Sequence, residues 1–284
     1  MFPILHKLTS TSREQCMDAI VQRYDHQGFV VVNYLYGAMI VQHRLLDIHN
    51  SGSSLALQQS LLFGDFLLPD GAALRTFWLI RQTLVRCSYF SRSTTWKMSW
   101  ILPNLNGTDF LPDFLDMLKA TGRSVTIATI TVYDPAIGNA PDTLKDTAYH
   151  HITERRWFPV VYQTQWDRHD PVGTFDRWQY RDSLSHYDMT SLHILLIFHS
   201  SPQKELRTTQ HAEMIRSTGV LVMNQGATID FRAGRETRSP RIFRWLMLES
   251  LWRVCSDPRK NFKKFFISFR MIWLIVQKLF LKMS

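Results

Sequence analysis

The spacing of apolar residues alternates between helical and strand-like periods through most of the chain. Ser12 can cap a helix whose apolar positions recur every three or four residues and which ends near Gly28. Strand-like runs rich in β-branched residues occur at residues 29–32, 125–132, 193–198 and 219–223, and helical patterns occur at 107–122 and 202–215. This alternation predicts an α/β fold with a mainly parallel, Rossmann-like sheet flanked by helices.

Two segments depart from this alternation. Residues 134–189 contain many aromatic, His, Asp and Arg residues, and could form either a strand-bearing insertion or a long irregular segment. Near the carboxyl end, Ser239 and Asp257 each place a capping residue before a proline, which predicts helices at about residues 240–255 and 258–281. We therefore expect an α/β domain at residues 1–231 and a helical, basic C-terminal appendage at residues 232–284.

The positive charge of the chain is concentrated in this appendage. The net charge is +9, and residues 232–284 contain 13 Lys and Arg against three acidic residues, so the rest is close to neutral. The last predicted helix has one apolar face, but a membrane-spanning helix needs roughly 20 mainly apolar residues, and its longest run without a polar residue is only residues 271–276. Basic helices of this kind are typical of membrane interfaces. A solvated charge run and a helix packed on its own domain are the alternatives.

The bulk composition fits a cytoplasmic globular protein. Hydrophobic residues make up 45% of the chain and charged residues 20%, which argues against disorder. The three cysteines are far apart and form no CxxC pair, so we expect neither a disulfide framework nor a zinc site. Residues 1–12 are too short and too polar for a signal peptide.

Two short segments have the composition of a functional site. Asp70 lies between Pro69 and Gly71 after an apolar run, where a carboxylate could serve as a general base or simply form a turn. Residues 224–231 follow a strand-like run and place small residues where a backbone could approach a phosphate or a sugar, although an ordinary turn fits them equally well. No Asp-x-Asp sequence is present, and His151 with Glu154 lacks a third ligand, so we expect no metal site.

Residues 224–241, Asn-Gln-Gly-Ala-Thr-Ile-Asp-Phe-Arg-Ala-Gly-Arg-Glu-Thr-Arg-Ser-Pro-Arg, resemble the strand-to-loop signature of the WecG/TagA/CpsF family of glycosyltransferases. Residues 244–260 are similar to the Leu-Glu-Trp-x-x-Arg and Pro-Arg block that follows it in that family. Upstream, residues 69–71 match a Pro-Asp-Gly motif, residues 107–110 resemble Gly-x-Asp-Leu, and residues 201–205 resemble Ser-Pro-x-Gln-Glu. The matches come in family order and extend over roughly residues 30 to 280.

The resemblance implies an inverting, metal-independent hexosyltransferase that needs no cofactor. It would move a hexose, an N-acetylhexosamine or its uronate from a UDP-sugar to an undecaprenyl-diphosphate-linked saccharide, in the synthesis of cell-surface polysaccharide such as exopolysaccharide. Asp70 is the implied catalytic base. The implied substrate-binding residues are Asn33, Asn106, Gly107, Asp109, Ser201, Gln203, Glu205, Gly226, Asp230, Arg238, Arg241, Arg244 and Arg253.

The resemblance also implies a place for the protein at the inner face of the plasma membrane. The basic C-terminal segment, with Arg259 as a further candidate, would close over the site and dock on an anionic membrane surface. Besides this surface, the implied partners are the UDP-sugar donor and the lipid-linked acceptor. We do not expect a nucleic-acid partner. If the basic tail did bind DNA through phosphate contacts, the affinity would fall steeply as the salt concentration rises.

The sequence departs from the family pattern mainly on the donor side. Asn104 stands in place of an Arg, Asn33 in place of a Thr, and Lys204 in place of a Gln. Two glycine-containing motifs are replaced by residues 129–131 and 198–200. These departures leave an alternative hypothesis, a catalytically inactive relative that acts as a membrane-associated scaffold in polysaccharide assembly.

Overall fold

A computed structural model describes the greater part of the α/β domain and separate pieces of the appendage. It covers residues 3–45, 52–71, 74–76, 78–80, 83, 102–103, 105–133, 160–167, 191–198, 201–225, 239–240, 242–243, 249–256, 258–259, 262, 265–267, 270 and 273. The strands are β1 (Val30–Tyr36), β2 (Phe66–Asp70), β3 (Val125–Tyr133), β4 (Val160–Asp167), β5 (Leu192–Phe198) and β6 (Leu221–Met223). The described helices are α1 (Pro3–His6), α2 (Arg13–Gln27), α3 (Gly37–Gln42), α4 (Gly52–Phe63), α5 (Gly107–Ala120), α6 (Gln203–Gln210), α7 (Ala212–Ser217) and α8 (Glu249–Ser256).

The six strands form one sheet in the order β2-β1-β6-β5-β3-β4, and each neighbouring pair is parallel. The prediction of a parallel α/β sheet flanked by helices is therefore confirmed. Pro69 lies in β2, at an edge of the sheet, where a residue without a backbone N–H is tolerated. The outer side of β2 is bridged by the chain near Leu8, where the N–H of Thr9 donates to the carbonyl of Leu67 at 2.9 Å.

The core lies on both faces of the sheet, because side chains alternate along each strand. On one face, strand residues such as Val32 and Ile194 pack in a single apolar cluster with α2 and α5. On the other face, Val31 and Leu195 pack with Ile215 of α7. A third cluster, at the β2 edge, joins the end of β1 to α1, α3 and α4. Burial of apolar surface on both faces is the main stabilising contribution to such a sheet.

Local sequence signals set the bounds of α2. The side chain of Ser12 accepts a hydrogen bond from the N–H of Gln15, and the side chain of Gln15 accepts one from the N–H of Ser12, which makes a capping box. At the other end, Gly28 adopts a left-handed φ of 67° that glycine accepts without steric cost. The predicted beginning and end of this helix are confirmed.

Two elements differ from the sequence-based expectation, and the structure adds detail to two other segments. β1 continues to Tyr36 rather than ending at Val32. The single helix expected at residues 202–215 is divided into α6 and α7 at His211, whose backbone is not helical. The apolar run at residues 61–68 is shared between the end of α4 and β2. β4 lies within residues 134–189, so this segment does bear a strand, while its other residues lie outside the described part of the chain.

The helices expected near the carboxyl end are described only in part. α8 falls within the first of them, and isolated helical residues such as Phe262 and Phe266 fall within the second. Over the residues described here, no helix has the length and apolar character needed to cross a membrane. The division of the chain at residue 231 stays a prediction.

Candidate functional site

The carboxyl ends of β1 and β2 place two polar side chains together. Tyr36 and Asp70 are the last residues of these strands and are paired in the parallel register. Gly71, which follows, has a φ of 85°, a backbone conformation that glycine adopts without steric cost. Ligands of parallel α/β sheets bind beyond the carboxyl ends of the strands. This edge is therefore the candidate functional site, and Asp70 lies on it with a partly buried side chain.

The charge of Asp70 raises the pKa of both tyrosines of β1, Tyr34 and Tyr36. Burial raises the pKa of Tyr34 far above its usual value, and the charge of Asp70 adds to that effect. Burial also raises the pKa of Tyr36 to about 12, with further increases from the charges of Glu205 and Asp70. The nearby hydroxyl of Ser201 lowers the pKa of Tyr36 and so partly offsets these increases. Both tyrosines therefore remain neutral near pH 7 and can donate hydrogen bonds.

The start of α6 brings three polar side chains, Ser201, Lys204 and Glu205, to the same edge; we call them the Ser201 cluster. Lys204 Nζ donates to Ser201 Oγ at 2.8 Å, and Ser201 Oγ donates to Glu205 Oε1 at 2.6 Å. Lys204 Nζ lies 3.2 Å from Glu205 Oε1, and the two side chains are only 5% and 0% exposed. Glu205 Oε2 is buried and has no hydrogen-bond partner among the described residues. Gln203, by contrast, is exposed.

Asn33 is buried in the middle of β1, and its side-chain amide is hydrogen-bonded to other groups of the protein. Its Nδ2 donates to the carbonyl of Ser60 at 3.2 Å, and its Oδ1 accepts from Asn224 Nδ2 at 2.6 Å. Asn224 Oδ1 accepts in turn from Thr208 Oγ1 at 3.3 Å. These bonds connect β1 with α4, with α6 and with the residue that follows β6. The predicted contact between Asn33 and substrate stays a prediction.

Gln225, the next residue of the chain, is also hydrogen-bonded to β1. Its Nε2 donates to the hydroxyl of Tyr34 at 3.1 Å, and its backbone N–H donates to the carbonyl of Ile197 at 3.0 Å. The first two residues of the glycine-containing segment at 224–231 are thus anchored at the carboxyl edge of the sheet. The segment continues from there to Gly226, which lies outside the described residues.

The predicted site residues at 106–109 form the beginning of α5. Asn106 Oδ1 accepts from the backbone N–H of Asp109 at 2.9 Å, and Asn106 Nδ2 donates to Asp109 Oδ2 at 3.1 Å. Gly107 is the first residue of the helix and is buried. Since α5 leads into the amino end of β3, its own amino end points toward the carboxyl edge of the sheet. The positive end of the helix dipole is therefore directed toward the side of the sheet that holds Asp70.

The remaining predicted residues are in the C-terminal segment. Gly226, Asp230, Arg238, Arg241 and Arg244 lie outside the described residues. Arg253 belongs to α8, and Arg259 is exposed. The expectation that this segment closes over Asp70 stays a prediction.

A shallow open groove lies at the opposite edge of the sheet, remote from Asp70. It is lined by Ala19, Gln22, Arg23, His26, Asp65 and Phe66. Phe66 begins β2, and the other lining residues belong to the second half of α2 and to the turn before β2. Arg23 and Asp65 form an ion pair of 3.4 Å across it, with the Arg23 side chain half exposed. Its position at the amino ends of the strands separates it from the site described above.

Sequence reasoning missed Tyr34, Tyr36 and Thr208 as members of this edge, and it noted Lys204 only as a departure from the family motif. The signal that could have found the tyrosines is the interruption of a buried, β-branched strand by residues with hydroxyl groups. In the described ranges, no three His, Cys, Asp or Glu side chains lie together as possible metal ligands.

The sequence profile described as the Glycosyl transferase WecG/TagA/CpsF family matches residues 4–284, which is nearly the whole chain. The chain belongs to this family. The resemblance noted from the motifs is thereby confirmed, and the protein is a member of a family of glycosyltransferases. The WecG/TagA/CpsF match includes all of the motifs quoted above, from Pro-Asp-Gly to the basic carboxyl block.

Comparison with other proteins adds two findings. One solved structure, described as "the highly conserved domain of unknown function 1792", which "has a distinct glycosyltransferase fold", matches with 9% sequence identity and a TM-score of 0.38. The match covers 79% of this chain and 80% of that one. No curated protein matches the chain.

Proposed function

We propose that this member of the WecG/TagA/CpsF family transfers a hexose, an N-acetylhexosamine or its uronate from a UDP-sugar to an undecaprenyl-diphosphate-linked saccharide, with Asp70 as general base. The proposal depends on one observation: in a chain that belongs to a glycosyltransferase family, Asp70 lies where a ligand would bind. Its carboxylate ends the edge strand β2 at the carboxyl edge of a parallel sheet, paired in register with Tyr36. That edge is where α/β proteins bind ligands.

In the proposed reaction, the carboxylate of Asp70 removes the proton from the acceptor hydroxyl. The acceptor oxygen then attacks the anomeric carbon of the donor, and the bond from that carbon to the UDP oxygen breaks. A single displacement of this kind inverts the configuration at the anomeric carbon. General-base catalysis by a positioned side chain contributes roughly 10²–10⁴-fold to the rate.

The departing UDP needs positive charge or donors near its diphosphate. The amino end of α5 supplies a partial positive charge on the sheet edge that holds Asp70. Arg238, Arg241, Arg244 and Arg253 are the side chains that we expect to supply the rest. In this proposal the charges belong to the protein, and neither a metal ion nor a cofactor takes part.

We place this reaction at an anionic membrane surface, where a lipid-linked acceptor is found. The described residues of the last predicted helix include Phe262, Phe266 and Trp273, which are 55%, 56% and 62% exposed. Arg259 and Arg270 are exposed in the same segment. Exposed aromatic rings together with cationic side chains support peripheral binding to lipid, since the rings can enter the acyl boundary while the charges meet phosphates. In this proposal, the protein works at the cytoplasmic face of the plasma membrane.

The membrane assignment is tested by deleting residues 262–284 and comparing sedimentation with vesicles of anionic and of neutral lipid. We expect the full chain to sediment with anionic vesicles and the shortened chain to remain in the supernatant. A DNA-retention assay at rising salt serves as the comparison for the basic tail. Equal vesicle binding by both chains would mean that this segment does not hold the protein on the membrane.

The reaction itself is tested by incubating the purified full chain with single UDP-sugars and an undecaprenyl-diphosphate sugar. The expected result is a product heavier by one sugar residue with at least one donor, and an inverted anomeric configuration in its NMR spectrum. Samples without donor and without acceptor are the controls. Retention of configuration would contradict the single-displacement mechanism.

A second candidate function, a catalytically inactive scaffold in polysaccharide assembly, is favoured by one observation. Lys204 replaces the Gln of the family motif, and its ammonium group is engaged in the Ser201 cluster. Donor binding separates the two candidates, because a ligand that binds the native state raises the melting temperature. If no UDP-sugar raises it, the scaffold is the better description.

A further inference from the structure

Tyr36 is a polar group of the site to which the proposed reaction assigns no role. It is the register partner of Asp70, and neighbouring strands of a sheet lie about 4.8 Å apart. Its partly buried ring packs against the apolar cluster at the β2 edge. Tyr36 and Asp70 are thus two polar side chains that end adjacent strands at the same edge.

The Ser201 cluster lies near the hydroxyl of Tyr36. Ser201 lies close enough to Tyr36 for its hydroxyl to lower the pKa of the phenol. Ser201 Oγ is itself fixed by Lys204 Nζ at 2.8 Å and by Glu205 Oε1 at 2.6 Å. A chain of contacts therefore runs from a buried ion pair in α6 to the end of β1.

The buried pair is not explained by stability alone. Removing two charges from water is costly, and replacing such a pair by apolar side chains is often neutral or stabilising. Lys204 and Glu205 are nearly fully buried, so they bear this desolvation cost. What the pair provides here is a fixed position for the hydroxyl of Ser201.

The chemistry of Tyr36 suits a sugar hydroxyl. Burial, followed by the charges of Glu205 and Asp70, raises the pKa of Tyr36, so the phenol stays neutral. A neutral phenol both donates and accepts a hydrogen bond, as each hydroxyl group of a sugar does. It does not compete with Asp70 for the role of base.

We propose that Tyr36 binds a hydroxyl group of the acceptor sugar beside Asp70, and that Ser201, held by Lys204 and Glu205, positions it. This inference rests on the proposed transferase function and adds an acceptor-specific contact to it. The phenol orients the acceptor, and the carboxylate of Asp70 removes its proton. The donor sugar and its diphosphate make no contact with Tyr36.

The test is steady-state kinetics of full-length Tyr36→Phe with donor and acceptor varied separately. Loss of one neutral hydrogen bond corresponds to a change of roughly threefold to tenfold. We therefore expect the KM for the acceptor to rise about threefold to tenfold, while the KM for the donor and kcat at saturating acceptor stay close to wild type. Ser201→Ala, which removes the hydroxyl that positions the phenol in this proposal, should raise the acceptor KM in the same direction.

Tyr24→Phe is the matched control. Tyr24 is also a buried tyrosine, and its hydroxyl donates to the carbonyl of Gly219 at 2.7 Å, near the amino ends of the strands. It should leave both KM values unchanged. A structural role for a tyrosine hydroxyl would alter stability in either variant, whereas the selective rise of the acceptor KM is expected only for Tyr36→Phe.

An acceptor KM within twofold of wild type in Tyr36→Phe, or an equal rise in both KM values, overturns the inference while leaving the transferase function intact. If Tyr36→Phe does not fold, an unchanged acceptor KM in Ser201→Ala overturns it instead. A wild-type protein that transfers no sugar contradicts the proposed function itself, and the acceptor contact falls with it.

Discussion

Asn224 Nδ2 donates a hydrogen bond of 2.6 Å to Asn33 Oδ1, which joins two residues that are 191 positions apart in the chain. Both side chains are almost completely buried. The bond connects the middle of β1 to the residue after β6, where the segment expected to approach the substrate begins. The carboxyl edge of the sheet is thus held in place by side-chain amides as well as by backbone pairing.

Asn224→Ala should destabilise the fold by about 1–3 kcal/mol, because it leaves the buried Oδ1 of Asn33 without this donor. Chemical denaturation gives the free energy of unfolding. Gln210→Ala is the control, since it removes an exposed hydrogen bond of 3.0 Å from Arg207 and should change stability by less than about 0.5 kcal/mol. Equal effects of the two substitutions would contradict a special role for the buried amide pair.

Gly64 lies against the same amide. A Cβ at this position would come within 2.5 Å of Asn33 Nδ2 and 3.4 Å of the carbonyl of Val31. The amide has little room to move, because Ser60 and Asn224 hold it on both sides. Gly64→Ala should therefore cost about 1–3 kcal/mol of stability, as overpacked substitutions in cores do.

A double-mutant cycle identifies the cause of that cost. In Asn33→Ala the amide is gone, so adding Gly64→Ala should cost less than it does in the wild type. A coupling energy of at least about 0.5 kcal/mol is expected for residues in contact. Additive effects, measured by denaturation of all four proteins, would mean that the backbone rather than the Asn33 side chain opposes the new methyl group.

Elements whose signals are local were predictable from the sequence. The capping box at Ser12 and the left-handed Gly28 involve neighbours within four residues, and both ends of α2 follow from them. The beginning of α5 at Gly107 is similarly marked, since Asn106 and Asp109 cap it. The alternation of strands and helices was enough to predict a parallel sheet.

Features that depend on distant partners were not predictable in this way. β1 continues past Val32 although Asn33 is polar, because Ser60 and Asn224 satisfy that amide in the folded protein. No glycine or proline in the sequence marks the division between α6 and α7. At the site, the motif predicted the place of Asp70 at a strand edge, but its pairing with Tyr36 depends on the register between two strands.

Lys204→Met should destabilise the fold by about 3–5 kcal/mol, because it leaves the carboxylate of Glu205 buried without its counter-charge. The double substitution Lys204→Met with Glu205→Met removes both charges and should recover most of that loss. Thermal and chemical denaturation give both values. If the double substitution is as unstable as the single one, the cost comes from packing around α6 and not from the uncompensated charge.

Cys16 and Cys255 should differ sharply in their reactivity toward iodoacetamide. Cys16 is fully buried in α2, and burial raises the pKa of its thiol to about 12, so little thiolate forms at pH 8. Cys255 is exposed in α8. Peptide mass spectrometry should show modification of Cys255 in the native protein and of both residues in denaturant. Comparable native labelling of both would mean that α2 opens readily from the sheet.

Asp70→Asn should reduce the rate of sugar transfer by roughly 10²–10⁴-fold, the usual contribution of a general base. The amide has the same shape as the carboxylate but cannot take the acceptor proton, so the melting temperature and the binding of the UDP-sugar should change little. Asp25→Asn is the matched control, because Asp25 near the end of α2 pairs with Arg123 just before β3, at the amino ends of the strands, and should keep full activity. Transfer by Asp70→Asn at the wild-type rate, with the product confirmed by mass, would assign the base to another residue.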